Sequence, residues 1–217
     1  MFKTIIFDFD GVIAESVDVK TMAFRELFKG HPDKLTLIEK YHLDNGGLSR
    51  FDKFRHIYKN IIGQPLSEDK FAELCLNFNK LVIDKVVNAE YVKGAKEFLD
   101  YCQNKYRMYI VSGTPEIEIR EIVKRRGLEK YFAGVYGSPE NKTNLINAIL
   151  EKNGWQGKEA LFIGDSKNDF TAASETSVVF AARSLELDAD WLKSPEIKII
   201  FSNLAEFKKY FIEHLES

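Results

Sequence analysis

The sequence predicts an α/β protein with a doubly wound parallel sheet, into whose chain an all-helical segment is inserted. Three observations lead to this fold class. An apolar run from Thr4 ends in the carboxylates Asp8 and Asp10, as expected of a strand covered by helices on both faces. Residues 14–92 have the pattern of consecutive helices with no strand between them. From about residue 93 onward, short apolar strands alternate with amphipathic helices.

Breaks in these patterns set the predicted domain boundaries. They place a catalytic core at residues 1–13 and 93–217 and a helical cap domain at residues 14–92. A chain of 217 residues is long for one compact domain and short for two, which suits a core carrying a smaller insertion.

Composition excludes several classes of function. With 45% hydrophobic residues, 29% charged residues and a net charge of −2, the chain has no basic signature for nucleic acid. No stretch approaches the length of a membrane span, and two cysteines without a partner spacing favour a reducing compartment. We therefore expect a cytoplasmic protein, monomeric or homodimeric, that binds a small molecule and neither nucleic acid nor membrane.

Glycine and proline breaks divide the cap into helices, and apolar runs mark the later strands of the core. Ser67 precedes two acids and suits a helix N-cap, as does Asn203 before the last amphipathic helix. The predicted cap helices are Asp18–Phe28, Asp33–His42, Ser49–Ile62 and Ser67–Val87. The predicted later strands are Met108–Val111, Gly134–Tyr136, Ala160–Ile163, Val178–Ala181 and Ile197–Phe201.

The end of the first strand carries the strongest chemical signal. Strand side chains alternate, so Asp8 and Asp10 face the same way while Phe9 packs on the other side. Two neighbouring carboxylates repel each other unless a cation lies beside them, and an oxygen-ligated ion such as Mg²⁺ is the default candidate. The alternative is that the pair only caps a strand end, where Asp is common.

Polar residues recur where the other clear strands end. Ser112, Gly113 and Thr114 follow the strand that ends at Val111, and Gly164 and Asp165 follow the one that ends at Ile163. The carboxyl ends of parallel strands share one edge of the sheet, so we expect these groups to converge in one crevice. Taken singly, each has a structural explanation as a helix cap or a turn.

Four segments, in order, resemble the motifs of the haloacid dehalogenase superfamily. They are Asp-Phe-Asp-Gly-Val at residues 8–12, Val-Ser-Gly-Thr at 111–114, Lys142, and Gly-Asp-Ser-x-x-Asp at 164–169. The helical insertion after the first motif resembles the cap of the phosphoglycolate phosphatase and β-phosphoglucomutase branch. This resemblance covers essentially the whole chain and implies a Rossmann-like core with an inserted cap domain.

The resemblance also implies roles for the reacting groups. Asp8 would be the nucleophile that forms an aspartyl phosphate, and Asp10 the general acid and base. Ser112 would hold phosphoryl oxygens, and Lys142 would supply positive charge to the transferring group.

Further roles concern the metal and the phosphate. Asp8, the backbone carbonyl of Asp10 and the side chain of Asp165 would bind Mg²⁺. Asp169 would lie beside Asp165, either touching the metal through water or orienting the lysine. Backbone donors at Gly113 and Thr114 would hold the phosphate at a helix start.

Substrate choice is expected in the cap. The loop containing Gly47 precedes a helix that is basic locally, and in the branch that the chain resembles this loop reaches into the active site. Arg50 and Lys53 are therefore candidates for binding a second anionic group on the substrate. The alternative is a solvated basic helix face.

The leading interpretation is a Mg²⁺-dependent hydrolase of a small, anionic phosphomonoester. One alternative is a sugar phosphomutase of the β-phosphoglucomutase type, although mutases of that branch more often have an acid where Gly164 stands. Haloacid dehalogenation needs no acid at Asp10, so the presence of Asp10 argues against it. The remaining alternative is a regulatory domain whose Asp8 accepts phosphate without turnover.

Overall fold

The sheet of this protein is entirely parallel. A computed structural model describes residues 1–185 and 189–216 and has six strands in the order β3-β2-β1-β4-β5-β6. The strands are β1 (Thr4–Phe7), β2 (Arg107–Pro115), β3 (Gly134–Ser138), β4 (Ala160–Gly164), β5 (Val179–Arg183) and β6 (Ile200–Phe201). The predicted fold class is confirmed: the first strand lies between β2 and β4, so its end is flanked by the ends of both.

Helices cover both faces of this sheet. Those that pack on the sheet are α5 (Ala95–Cys102), α6 (Glu116–Arg125), α7 (Lys142–Asn153), α8 (Lys167–Glu175) and α9 (Leu204–His214). The helices that follow β1 in the chain are α1 (Val17–Leu27), α2 (Leu35–Asp44), α3 (Arg50–His56) and α4 (Glu68–Asn88). Ile5 and Phe7 pack on the side of α5, α6 and α9, whereas Ile6 packs on the side of α7 and α8. In the part of the chain that the structure describes, no helix is long and apolar enough to cross a membrane.

The segment after β1 is all helical. Helices α1 to α4 lie between residues 17 and 88, and the predicted helix Ser49–Ile62 is observed as α3 continued by a π-helix, Ile57–Ile62. Ser67 caps α4 as predicted, with its hydroxyl accepting from the Lys70 backbone N–H at 3.3 Å. The domain limits at 14–92 and 93–217 stay a prediction, and residues 186–188 and 217 lie outside the described residues.

The later strands all differ from their predicted bounds, and β2 and β6 differ most in length. β2 continues beyond Val111 to Pro115, because after a register shift Pro115 pairs again with Ser138 of β3. The predicted strand Ile197–Phe201 is reduced to β6, which pairs only through Ile200 and Phe201. At the sheet edge β6 has one neighbour, so few ladder hydrogen bonds define it.

Two short connections join the helical segment to the core, and they are hydrogen-bonded to each other. Glu15 N–H donates to the Glu90 carbonyl at 2.9 Å, and Val92 N–H donates to the Ile13 carbonyl at 3.0 Å. Arg126, at the end of α6, donates to three carbonyls where α4 ends, at 2.7 to 2.9 Å. These bonds fix where the cap meets the carboxyl edge of the sheet.

Candidate active site

A cavity of about 780 Å³ lies between the carboxyl edge of the sheet and the helical cap. The ends of β1, β2 and β4 supply its floor, with Asp8, Asp10, Gly113, Thr114 and Asp165 among the lining residues. α1 to α4 and the loop after α2 form the other side. The predicted convergence of strand-end residues is therefore what the structure shows.

Asp8 lies at the centre of this floor. Its side chain is only 3% exposed, and Oδ1 lies 3.0 Å from the Lys142 ammonium. Burial raises the pKa of Asp8 to about 7, and Lys142 opposes the shift while the neighbouring carboxylates Asp169 and Asp10 add to it. Without a further cation, the Asp8 carboxyl group is therefore partly protonated near neutral pH.

Asp10 lies in a different environment, although it is two residues away. Its carboxylate accepts from the Ser16 hydroxyl at 2.6 Å, from the Thr114 hydroxyl at 3.1 Å and from the Lys20 ammonium. Burial acts to raise the pKa of Asp10, but Lys20 and these hydroxyl donors outweigh it and lower the pKa below its ordinary value. Asp10 is therefore held as a carboxylate in this arrangement.

Three carboxylates could hold a metal ion. Oxygens of Asp8, Asp165 and Asp169 all lie within 4.8 Å of one another. Burial, together with the Asp8 and Asp169 charges, raises the pKa of Asp165, and repulsion of this kind is what a bound divalent cation relieves. This all-oxygen donor set, with Asp8 and Asp169 buried and Asp165 half-buried, fits a hard ion such as Mg²⁺.

Asp169 differs from the other two because donors already surround it. It accepts from Lys142 Nζ at 2.5 Å and from the Ser166 hydroxyl at 2.6 Å, and it is fully buried at the start of α8. Burial would lower the pKa of Lys142, but Asp169 and Asp8 together raise it above its ordinary value. Lys142 is therefore a charged, fixed ammonium that bridges two carboxylates.

The second motif, residues 111–114, lies in the last part of β2. Thr114 N–H donates to the Ser112 hydroxyl at 3.1 Å, and both side chains are buried. Gly113 admits no side chain, because a Cβ there would lie 2.4 Å from the carbonyl oxygen of Gly47. β2 ends at Pro115, directly before α6, so the motif lies beside a helix N-terminus, which favours anions.

The cap loop after α2 contacts the core directly. Gly47 has a φ of +73°, and a Cβ added to it would lie 2.6 Å from the Ser166 hydroxyl and 3.5 Å from the Lys142 ammonium. Asn168 donates to the carbonyl of Gly46. The glycines allow the loop backbone to reach the reacting groups, where a side chain would collide with them.

Arg50 and Lys53 both line the cavity, but their partners differ. Arg50 forms a two-point ion pair with Glu118 of α6, one contact being 2.8 Å long. Lys53 Nζ lies 3.0 Å from Nδ1 of His42 and 3.1 Å from the His42 carbonyl. Among the described residues, no carboxylate lies within ion-pair distance of Lys53, although its side chain is 4% exposed.

Burial and charge make Lys53 unusual. Burial, with a contribution from the Lys20 charge, lowers the pKa of Lys53 to about 7. The pKa of His42 falls to about 2 through burial and the charges of Lys53 and Lys20, so its imidazole is neutral and accepts from the lysine. The site thus contains a buried lysine that can exchange its proton near neutral pH.

Sequence reasoning missed several groups. Lys20 donates to the Thr114 hydroxyl at 2.7 Å as well as to Asp10, and Ser16 supports Asp10 from the first connection. A polar residue and a lysine 6 and 10 positions after Asp10 were the available signal. His42 and Glu118 carried none, because only the folded chain brings them beside Lys53 and Arg50.

Comparison with known proteins defines the class of protein. A family model described as haloacid dehalogenase-like hydrolase matches residues 5–183. A phosphoglycolate phosphatase of Vibrio parahaemolyticus is 29% identical over 181 residues, covering 79% of this chain and 78% of its own. Phosphoglycolate phosphatase 1 of Pseudomonas aeruginosa is 24% identical over 186 residues, covering 83% and 68%.

Solved structures have the same fold. A haloacid dehalogenase-like family protein of Streptococcus pneumoniae has a TM-score of 0.74 at 23% identity, covering 97% of this chain and 98% of its own. The β-phosphoglucomutase of Clostridium difficile has a TM-score of 0.79 at 16% identity, covering 98% and 96%.

The chain belongs to the haloacid dehalogenase-like hydrolase family. It is an enzyme, a phosphatase of this family related to the phosphoglycolate phosphatases. The resemblance predicted from the four motifs, including the branch, is thereby confirmed.

Gly11 offers a test of the metal site. A Cβ at Gly11 would lie 1.9 Å from Asp165 Oδ2, and φ is +77°. We expect Gly11→Ala to displace Asp165 and weaken Mg²⁺ binding by about 10- to 100-fold, as disturbed ligand positioning does elsewhere, with turnover falling in parallel. Calorimetric titration with Mg²⁺ measures the affinity.

The matched control is Gly127→Ala. Gly127 also has positive φ, +67°, but nothing lies within 4 Å of an added Cβ. This variant should lose about 1–2 kcal/mol of stability and keep its Mg²⁺ affinity. Equal affinities in the Gly11 variant and the parent protein would contradict the placement of Asp165 at the metal.

Proposed function

We propose that this enzyme hydrolyses a small, anionic phosphomonoester in a Mg²⁺-dependent reaction through an aspartyl phosphate on Asp8. The observation that carries the proposal is the buried group of Asp8, Asp165 and Asp169 beside the Lys142 ammonium. Such a group is costly to bury unless cations neutralise it. Mg²⁺ held by Asp8, Asp165 and the backbone carbonyl of Asp10 would supply charge stabilisation for the phosphoryl oxygens.

In the first step, an Asp8 carboxylate oxygen forms a bond to phosphorus and the bond from phosphorus to the ester oxygen breaks. Lys142 and the Gly113 N–H hold the phosphoryl oxygens, and the Thr114 N–H joins them when it exchanges its bond to the Ser112 hydroxyl for one to the phosphate.

The leaving alkoxide takes a proton from Asp10. Because the resting site holds Asp10 as a carboxylate, that proton comes from solvent in the first turnover and from the hydrolytic water of the preceding turnover thereafter. In the second step, water attacks the phosphorus and the bond between phosphorus and the Asp8 oxygen breaks, which releases phosphate and restores the Asp8 carboxylate. Asp10 accepts a proton from that water and can donate it to the next ester.

The low pKa of Asp10 suits the second step. A carboxylate is the form that accepts a proton from water, and Lys20, Ser16 and Thr114 hold Asp10 as a carboxylate in the resting site. Asp8, whose pKa burial raises, needs the metal charge to act as a nucleophile. The two carboxyl groups therefore have separate roles because their surroundings differ.

The second anionic group of the substrate is assigned to the cap. Lys53 is the better candidate, because its buried amine is bound only by His42 among the described residues. Arg50 is engaged with Glu118, so a substrate anion would have to displace that carboxylate. Gly47 lets the loop close over the ester. The relatives named phosphoglycolate phosphatases make a short phosphorylated carboxylic acid the first compound to test.

A phosphomutase is less well supported. The Clostridium difficile neighbour carries that name, but a Cβ at Gly164 of this chain would lie 2.3 Å from the Cβ of Asp169. An acid at that position would not fit the present packing. The sequence relatives cited above are phosphatases.

Phosphate release tests the proposal. With Mg²⁺ present we expect release from a panel of phosphate esters that includes phosphoglycolate, hexose phosphates and nucleotides, and none with a chelator. Asp8→Asn should abolish release, because an amide neither attacks phosphorus nor offers the metal a charge. Near-normal rates for the Asp8 variant, or full activity in chelator, would contradict the mechanism.

The pKa of Lys53 predicts a pH dependence of binding. Because this pKa is lowered to about 7, the amine is charged below that pH and neutral above it. We expect the KM of an ester with a second anionic group to rise between about pH 6 and pH 8, relative to the KM of phenyl phosphate. The ratio of the two KM values cancels the titrations of Asp8, Asp10, Asp165 and Lys142, which both esters share.

Lys53→Met is the matched variant, since methionine keeps an unbranched apolar stem without the amine. It should raise the KM of the acidic ester and remove the pH dependence of the ratio, while kcat for phenyl phosphate changes little. A ratio that stays flat in the parent protein would show that Lys53 does not bind the substrate anion.

A further inference from the structure

The cavity extends beyond the reacting groups along a surface that we call the apolar wall. Helix α4 contributes Ile83, α1 contributes Val17, and the β2–α6 segment contributes Pro115 and Ile122. Phe78, Val82 and Val86, spaced four residues apart on α4, line the same cavity from behind. This surface is separate from the metal site and from the phosphate-binding residues Gly113 and Thr114.

The apolar wall lies beside the group that protonates the leaving oxygen. Val17 follows Ser16 and Pro115 follows Thr114 in the chain, and the hydroxyls of Ser16 and Thr114 both donate to Asp10. Because Asp10 protonates the alcohol that leaves, the carbon skeleton of that alcohol extends from this point. Beyond the polar groups that hold Asp10, the apolar side chains of Val17 and Pro115 line the cavity.

The wall combines open surface with a rigid base. Val17 is 37% exposed and Ile83 is partly exposed, so both have surface that a ligand can cover. Phe78, Val82 and Val86 are each less than 5% exposed and fix the shape behind them. Packed side chains of this kind hold their positions and do not collapse into an open space.

Two charged groups next to this wall, the Arg50 guanidinium and the Glu118 carboxylate, are paired with each other. The Arg50 guanidinium lies 5.1 Å from the ring centroid of Phe78, and its positive charge is met by Glu118 through a two-point contact. A bidentate pair of this type presents little net charge to its surroundings. The wall therefore favours an apolar ligand group over an ionic one.

We propose that the alcohol part of the natural phosphate ester carries an apolar body, alkyl or aryl, that packs against the apolar wall. The inference rests on the proposed phosphatase function and narrows its substrate class. A cavity of about 780 Å³ lies within the range of about 300–1,000 Å³ that holds drug-sized ligands. It is much larger than a two-carbon phosphorylated acid requires, so phosphoglycolate would leave the wall uncovered.

A homologous series of esters tests this proposal. kcat/KM is measured with Mg²⁺ for methyl, butyl and hexyl phosphate, and Kd is measured by calorimetry for the corresponding alkylphosphonates, which have no ester bond to cleave. We expect both quantities to improve with chain length, by up to about fourfold per methylene, which is the limit that the transfer of a methylene group from water allows.

Ile83→Asp places a charge on the wall, and Leu76→Asp is its control on the same helix. Leu76 is 56% exposed and does not line the cavity. The ratio of hexyl to methyl kcat/KM should fall at least about tenfold in the Ile83 variant and stay at the parent value in the Leu76 variant. Ile83→Ala, which removes apolar surface without adding charge, should lower the ratio by a smaller factor.

The outcomes separate this proposal from the proposed function. If methyl phosphate is hydrolysed but hexyl phosphate shows no higher kcat/KM and hexylphosphonate binds no more tightly, the proposal of an apolar body is overturned. The phosphatase function would remain intact. Failure to hydrolyse any ester, combined with affinity that rises along the phosphonate series, would support the wall and reject the hydrolysis. Neither hydrolysis nor chain-length-dependent affinity would overturn both.

Discussion

The rest of this structure depends on one electrostatic constraint, which is the burial of several carboxylates at one edge of the sheet. Asp8, Asp165 and Asp169 have oxygens within 4.8 Å of one another. Lys142 joins two of them and is itself only 7% exposed. A single lysine cannot balance three such charges in a medium of low dielectric. A divalent cation at this site would balance the remaining negative charge and would attract a phosphate ester.

The cap adds a second set of charges to the first. Lys20, from the first helix of the cap segment, contacts both Asp10 and Thr114. The pKa of Asp10 therefore depends on how the cap is placed against the core. Lys53 lies across the cavity with a neutral imidazole as its partner. In the mechanism that we propose, the core binds the phosphoryl group and the cap supplies the groups that distinguish one alcohol from another.

Much of the fold and of the catalytic floor could be predicted from the sequence, because both depend on local patterns. The apolar run before Asp8 and Asp10 is enough to indicate a buried strand. A capping residue such as Ser67 is enough to indicate where a helix begins. Parallel pairing then brings the strand ends together without further information. The partners of the cap cations could not be predicted in this way: Glu118 lies 68 residues from Arg50, and only tertiary packing joins them. The apolar wall was hidden for the same reason, since the spacing of α4 identifies an apolar face but not an open cavity beside it.

The proposed mechanism requires above all that Asp8 becomes phosphorylated during turnover. Acid quenching of the enzyme while it hydrolyses phenyl phosphate with Mg²⁺, followed by mass spectrometry of its peptides, tests this requirement directly. We predict one phosphoryl group on the peptide that contains Asp8, and its loss on treatment with base or hydroxylamine. The group should be absent from the Asp8→Asn variant and from samples that contain chelator. Steady turnover with the phosphoryl group on a different residue, or persisting in the Asp8 variant, would contradict the proposed mechanism.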